Sequence, residues 1–233
     1  MKIYFIRHGE PGPMGPDGRN LTELGQKQAH AAAQRLKDSG IEMIFSSPMI
    51  RAKQTAEPTA QLLGLNIAFW DFIKEIGWSS LNSESIPENG HPWKLARLRA
   101  SEGKSLFMDD WQRDYPYSNS EVVQYYNNVA SGIDEFLRGF GYKREGDYYR
   151  VIGKDTEKTI AIFSHAGSSS AALSHILNIP FPQFCGAFCP KHASVTLVEF
   201  SNKAGELIYP TMLLFNDTRH TEDLTSVNTF IEK

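Results

Sequence analysis

Lys2-Ile3-Tyr4-Phe5-Ile6-Arg7-His8-Gly9-Glu10 opens the chain with a short β-branched and aromatic run that stops at two adjacent cationic or imidazole side chains. An apolar run of this length, bounded by polar residues and glycine, reads as a buried strand. A Gly- and Pro-rich loop, Pro11 to Gly18, comes next; it can sustain neither helix nor ladder, so it is irregular backbone over the strand's carboxyl end. Thr22 is a good N-cap for a helix carrying Leu24, Ala32 and Leu36 on one face and stopped by Gly40. Met43–Ser46 is a second strand. Pro48 then leads into a helix over Ile50 to Leu63 closed by Gly64, and Ile67–Trp70 is a third strand.

Further along, Val122, Tyr126, Val129, Ile133 and Leu137 recur at helical spacing. Thr159–Phe163 is another apolar strand, running through Ser164-His165-Ala166-Gly167 into a helix of small residues that ends at Leu177. Val195–Phe200 and Leu207–Phe215 read as closing strands, a hairpin turned at Asn202 to Gly205. Residues 76–119 show no long clean periodicity and are too many for a plain loop, so they read as an inserted, partly helical cap. Strands alternating with helices predict an α/β chain: a mainly parallel central sheet with helices on both faces, a three-layer α/β/α sandwich, in one domain over 1–233. In such sheets ligands sit at the carboxyl ends of strands. Arg7-His8, Ser46-Ser47-Pro48 with Arg51, and Ser164-His165 all fall there.

Composition narrows the chemistry. The 233 residues are 41% apolar and 22% charged, with a net charge of −3, which gives no global basic footprint for nucleic acid. The two cysteines, Cys185 and Cys189, are too few for a disulfide scaffold and lack partners for a zinc site. No apolar run approaches the ~18 residues of a membrane span, and the N-terminal apolar stretch is too short for a signal peptide. The expectation is a soluble, unprocessed, cytoplasmic protein with no membrane or nucleic-acid partner. His8, His91, His165, His192 and His220 show no HxxxH or HxH spacing, so no metal is expected.

A neutral imidazole is nucleophilic, guanidinium matches phosphoryl oxygens with paired planar donors, and a leaving oxygen needs a proton donor. His8 and His165, with Arg7 and Arg51, supply the first two requirements. Each residue alone is ordinarily a polar loop or ion-pair group; their recurrence at strand ends is what points to a cationic phosphate pocket.

Ile6-Arg7-His8-Gly9-Glu10 resembles the Arg-His-Gly signature of the histidine phosphatase superfamily, the branch with cofactor-dependent phosphoglycerate mutases and small-molecule phosphatases. Leu21-Thr22-Glu23-Leu24-Gly25-Gln26-Lys27-Gln28-Ala29 is similar to its LTxxGxxQA segment. Phe45 to Ala56 is similar to SSPxxRAxQTA, and Phe163-Ser164-His165-Ala166-Gly167 to the second-histidine motif. Phe215-Asn216-Asp217-Thr218-Arg219-His220 resembles the tail of phosphatase members. The resemblance implies that His8 is the nucleophile, that Arg7, Arg51 and His165 bind the phosphoryl group, and that Glu75 is the general acid, with Asp71, Glu84 and Glu88 as competitors. The Asn that many members carry after Arg-His-Gly is absent, and Asn20 is the available replacement as a substrate-binding residue. Ala166 stands where Gly is common, and Trp78 is followed by Ser79-Ser80 rather than the usual Gly-x-Trp-Glu-Gly continuation.

The resemblance implies a metal-independent phosphomonoesterase for a small phosphorylated metabolite, with no cofactor; a homodimer is compatible with it. A phosphoglycerate mutase and a catalytically weak phosphate-binding scaffold are the alternatives. A dinucleotide-binding dehydrogenase lacks its GxGxxG after the first strand. The cap aromatics Trp78, His91, Trp93, Phe107, Trp111, Tyr115 and Tyr117 either line a substrate pocket or fix the cap to the sheet. Lys94, Arg97, Arg99 and Lys104 read as a solvated basic face.

Overall fold

A computed structural model describes residues 1–15, 18–153 and 157–224. Pro16 and Asp17 of the Gly/Pro loop lie outside the described residues. In chain order the first elements are β1 (Lys2–Arg7), α1 (Glu23–Leu36), β2 (Met43–Ser46), α2 (Ile50–Leu63) and β3 (Ile67–Phe69). Then come α3 (Pro92–Ser101), α4 (Val122–Gly139), β4 (Tyr142–Glu145) and β5 (Tyr148–Val151). The last are β6 (Thr159–Ser164), α5 (Ala166–Ile176), α6 (Phe181–Ala187), β7 (Val195–Glu199), β8 (Leu207–Ile208) and β9 (Thr211–Asp217).

Six strands form one sheet in the order β3-β2-β6-β1-β7-β9. β3, β2, β6 and β1 run parallel, whereas β7 is antiparallel to both β1 and β9. β1 is buried from Ile3 to Arg7 because it is covered on both faces, which is why it reads as an uninterrupted apolar run. Its alternation divides the core. Tyr4 and Ile6, with Ile44, Ala161 and Phe163, meet Leu36 of α1 and Ala56 and Ala60 of α2. Ile3 and Phe5, with Phe45, Ile160 and Ile162, meet Val129, Ile133 and Phe136 of α4 and Leu173 of α5. These are the three expected layers. Local signals hold the helices in place: Thr22 Oγ1 accepts from Gly25 N at the start of α1, and α2 stops at Gly64, whose φ of 65° glycine adopts without penalty.

Within residues 76–119 the regular elements are α3 and three short 3₁₀ turns at Pro87–Gly90, Trp111–Arg113 and Tyr117–Asn119. Its large aromatics are mostly glue. Trp93, Trp111 and Tyr117 are buried, the Trp111 ring lying 4.9 Å from Tyr126 of α4 and 5.4 Å from Phe181 of α6, while Phe107 and Tyr115 are exposed.

Two expectations need correction. Leu207–Phe215 is not one strand, and β7 does not form a simple hairpin with the strand next in sequence. Pro210 has no N–H to give a ladder, so the run breaks at Tyr209-Pro210; β8 pairs with β5, and β9 returns to β7. The hairpin β4–β5, turned at Gly146-Asp147, is not foreshadowed by the sequence pattern either, and with β8 it makes a second, three-stranded antiparallel sheet. α6 is a further element without a sequence signal.

Candidate active site

The register of the sheet sets the site. Arg7, the last residue of β1, lies opposite Ser164, the last residue of β6. His8 N donates to Ser164 O at 3.0 Å, so both strands pass their histidines out at the same level. The His8 and His165 rings have centroids 5.1 Å apart and both are buried. From the end of β2, Ser47 Oγ lies 2.8 Å from His165 Nε2.

His8 Nδ1 is 2.7 Å from Gly9 O. A carbonyl only accepts, so Nδ1 carries the proton and Nε2 holds a lone pair. Arg51 Nε donates to that Nε2 at 3.0 Å from the first turn of α2. The turn that aims His8 requires close backbone packing: a Cβ on Gly9 would come 2.5 Å from Gly25 O, and one on Gly25 would come 2.2 Å from Glu10 O. Gly9 N is further tied to Thr55 Oγ1 of α2 at 3.0 Å. Burial first, then the neighbouring His165, Arg7 and Arg51, hold His8 well below the ordinary histidine range. Burial and the same two arginines depress His165 likewise. Both rings are therefore neutral at pH 7.

Arg7 is anchored at both terminal nitrogens: Nη1 donates to Pro190 O at 2.7 Å, and Nη2 donates to His192 Nε2 at 2.8 Å. Burial lowers Arg7 to about 10, which leaves it cationic. His192 was not singled out by the sequence. It reaches the site because β7 runs antiparallel beside β1, bringing the segment before β7 to the carboxyl end of β1; Ala193 N donates to His8 O at 3.2 Å. The His192 ring stands 5.7 Å from that of His8, and burial and Arg7 push it down to about 3, so it accepts from Arg7 as a neutral base. Nothing in local spacing marks this residue; only the strand order does.

Glu75 supplies the carboxylate. Its Oε1 accepts from Gly167 N at 2.9 Å, Ser168 N at 3.2 Å and its neighbour Ile76 N at 3.1 Å, at the start of α5. Gly167 makes the approach possible, since a Cβ there would lie 2.5 Å from Glu75 Oε1 and 2.4 Å from Ile76 Cγ1. Burial raises Glu75 above the usual carboxylate range, although Arg7 and Arg51 pull the other way. Among the competing carboxylates, Asp71 pairs with Lys74 at 2.9 Å, and Glu84 and Glu88 are exposed.

The structure thus brings His8, His165, Arg7, Arg51 and Glu75 together. Asn20 stands apart: it is exposed, and its Oδ1 accepts from Gln54 Nε2 at 3.0 Å, while Gln54 holds Leu21 N. Its amide braces the loop before α1 instead of joining the buried cluster. Of the four basic cap residues, Arg99 pairs with Asp114 and Lys104 with Glu102. Among the described residues no group of three or more His, Cys, Asp or Glu side chains is placed to hold a metal ion. None of their helices is long and apolar enough to cross a membrane.

An α/β/α sandwich with paired histidines and arginines at the carboxyl edge of its sheet has the architecture of a histidine phosphatase. The chain belongs to the histidine phosphatase superfamily (branch 1), whose family model matches residues 3–211. Among curated relatives, the probable phosphoglycerate mutase GpmB of Yersinia pestis (strain Pestoides F) is 30% identical over 115 residues, 46% of this chain and 54% of that protein. The chain therefore spans about half the length of the curated relatives it matches. Solved structures share the fold at lower identity. Mycobacterial glucosyl-3-phosphoglycerate phosphatase is 20% identical with a TM-score of 0.62, over 92% of this chain and 98% of that one. For phosphoserine phosphatase from Entamoeba histolytica, in complex with 3-phosphoglyceric acid, the values are 19%, 0.59, 94% and 98%. For α-ribazole phosphatase from Shigella flexneri they are 20%, 0.60, 93% and 96%.

Proposed function

We propose that this protein hydrolyses the phosphomonoester of a small metabolite through a phosphohistidine at His8, without a metal. The observation that carries this reading is the His8 ring: Nδ1–H held by Gly9 O, and an Nε2 lone pair facing a guanidinium. In the first step the Nε2 lone pair attacks phosphorus and the ester P–O bond breaks. Glu75, raised by burial, passes its proton to the departing oxygen, and the alcohol leaves. Arg51 exchanges its bond to His8 for the phosphoryl oxygens, while Arg7 and His165 surround the same charge. In the second step the Glu75 carboxylate takes a proton from water, the resulting hydroxide adds to phosphorus, and the P–N bond breaks. Inorganic phosphate leaves and His8 returns neutral.

The test is phosphate release from a panel of phosphorylated metabolites in excess chelator, with wild type and His8→Ala. Turnover in chelator, a loss of at least about 10³-fold in H8A and an acid-labile phosphoenzyme in wild type are expected. Turnover abolished by chelator, or retained in H8A, overturns the reading. Incubation with 3-phosphoglycerate, with and without bisphosphoglycerate, separates hydrolysis from isomerisation.

A further inference from the structure

The turn that carries His192 is bound to the site from several directions. Lys191 N donates to Asn216 Oδ1 at 2.7 Å, and Ser194 N closes the turn on Lys191 O at 3.1 Å. Between them Ala193 is fully buried with a φ of 53°, the left-handed region that a residue bearing a Cβ adopts only at a cost. Ala193 N donates to His8 O at 3.2 Å, and His220 Nε2 donates to Ala193 O at 2.9 Å. Arg7 N ties the next residue through Ser194 O at 3.3 Å. A strained turn fastened to the backbone of both Arg7 and His8 is a bracket built onto the site, and His192 is the side chain it presents.

A guanidinium only donates, so the His192 Nε2 that meets Arg7 Nη2 at 2.8 Å is an unprotonated acceptor, and the ring keeps its proton on Nδ1. Pro190 O, in the same segment, takes Arg7 Nη1 at 2.7 Å. Both acceptors are uncharged. A carboxylate in place of the imidazole would grip the guanidinium more firmly and offset its charge, whereas an apolar ring would take away an acceptor inside the protein. Glu75 also acts on Arg7 electrostatically, but in the proposed reaction it is protonated when the phosphoryl group arrives. We infer that His192 is a positioning residue for phosphoryl transfer: through Nε2 it fixes the Arg7 guanidinium against the phosphoryl site and leaves its positive charge undiminished. This deepens the phosphatase reading and rests on it. In this role His192 exchanges no proton and works through Arg7 alone.

The test is calorimetric titration of wild type and three variants with orthovanadate, which copies the five-coordinate phosphoryl group in transfer. His192→Gln keeps a neutral acceptor, the isosteric His192→Glu keeps an acceptor but adds a negative charge, and His192→Phe keeps a ring without an acceptor. His192→Gln should bind within about threefold of wild type, while His192→Glu and His192→Phe bind at least about tenfold more weakly, with kcat/KM for an alkyl phosphate falling in parallel. A merely structural contact would reverse the order of the isosteric pair, because a carboxylate holds a guanidinium more tightly than an amide does. Binding by His192→Glu as tight as by His192→Gln, by His192→Phe as tight as by wild type, or by His192→Gln as weak as by His192→Phe overturns the inference. Should His192→Phe not fold, the Gln and Glu variants decide it between them. Hydrolysis of p-nitrophenyl phosphate by wild type judges the phosphatase reading separately: no turnover alongside the expected order of vanadate affinities removes that reading and leaves the hold of His192 on Arg7 standing.

Discussion

In the proposed reaction Glu75 does two things that conflict elsewhere in proteins: it accepts three backbone N–H groups, which favour the carboxylate, and it holds a proton to give away. Burial decides the contest by lifting it above the ordinary range. His8 is shifted the other way, so activity should rise as pH climbs past the depressed His8 and fall as Glu75 ionises, a bell displaced to the acid side. Glu75→Gln should lower turnover of an alkyl phosphate by roughly 10²–10⁴-fold and remove the alkaline limb. p-Nitrophenyl phosphate, whose leaving group needs little help, should lose much less. Steady-state pH profiles of both substrates check this; equal losses would deny Glu75 the proton. His8, Arg51 and His165 stood out in the sequence together, because each follows a recognisable strand or opens a helix, whereas Glu75 came from the family resemblance alone. His192 did not stand out, since a loop histidine carries no mark of which strand its loop abuts, and the exposure of Asn20 could not be read from its place in the chain.

At the scale of elements, α5 and the Glu75-Ile76 segment are fitted to one another by a missing side chain. Gly167→Ala should displace Glu75 and Ile76, whose atoms occupy the space a methyl group would need, while leaving the β1 end of the site alone. The expected signature is a fall in turnover of the alkyl phosphate of at least about tenfold with the burst of phosphoenzyme from p-nitrophenyl phosphate retained, measured by rapid quench. A variant indistinguishable from wild type would show that the contact is not tight. Long periodic or fully buried elements such as α4 and β1 announce themselves, and short apolar strands such as β2 do so between turn signals; short polar ones do not. β4 and β5 are four residues each and α6 is seven, too few to display a period, and β8, which completes the small sheet, lies far away in sequence. Leu207–Phe215 read as one strand because its apolar content runs on through Pro210, where the backbone changes sheets.

Across the whole molecule, residues 76–119 share one apolar core with the sheet: Trp93, Trp111 and Tyr117 belong to the same cluster as Ile3, Phe5 and Ile162. Trp111→Ala should cost about 3–5 kcal/mol, the usual range for a large aromatic truncated in a core. If the core is continuous, urea unfolding followed by fluorescence and by circular dichroism stays coincident; two separated transitions would mean that this segment folds on its own. Composition alone left the aromatics balanced between pocket lining and packing, and burial settles Trp93, Trp111 and Tyr117 as packing while Phe107 and Tyr115 face solvent. The sheet order has a consequence for biosynthesis. β1 precedes β6 and β7 in sequence yet lies between them in the sheet, so His8 meets His165 and His192 only after the residues through β7 have left the ribosome. A nascent chain halted before those segments emerge cannot assemble the paired rings, so the proposed chemistry has to wait for their synthesis.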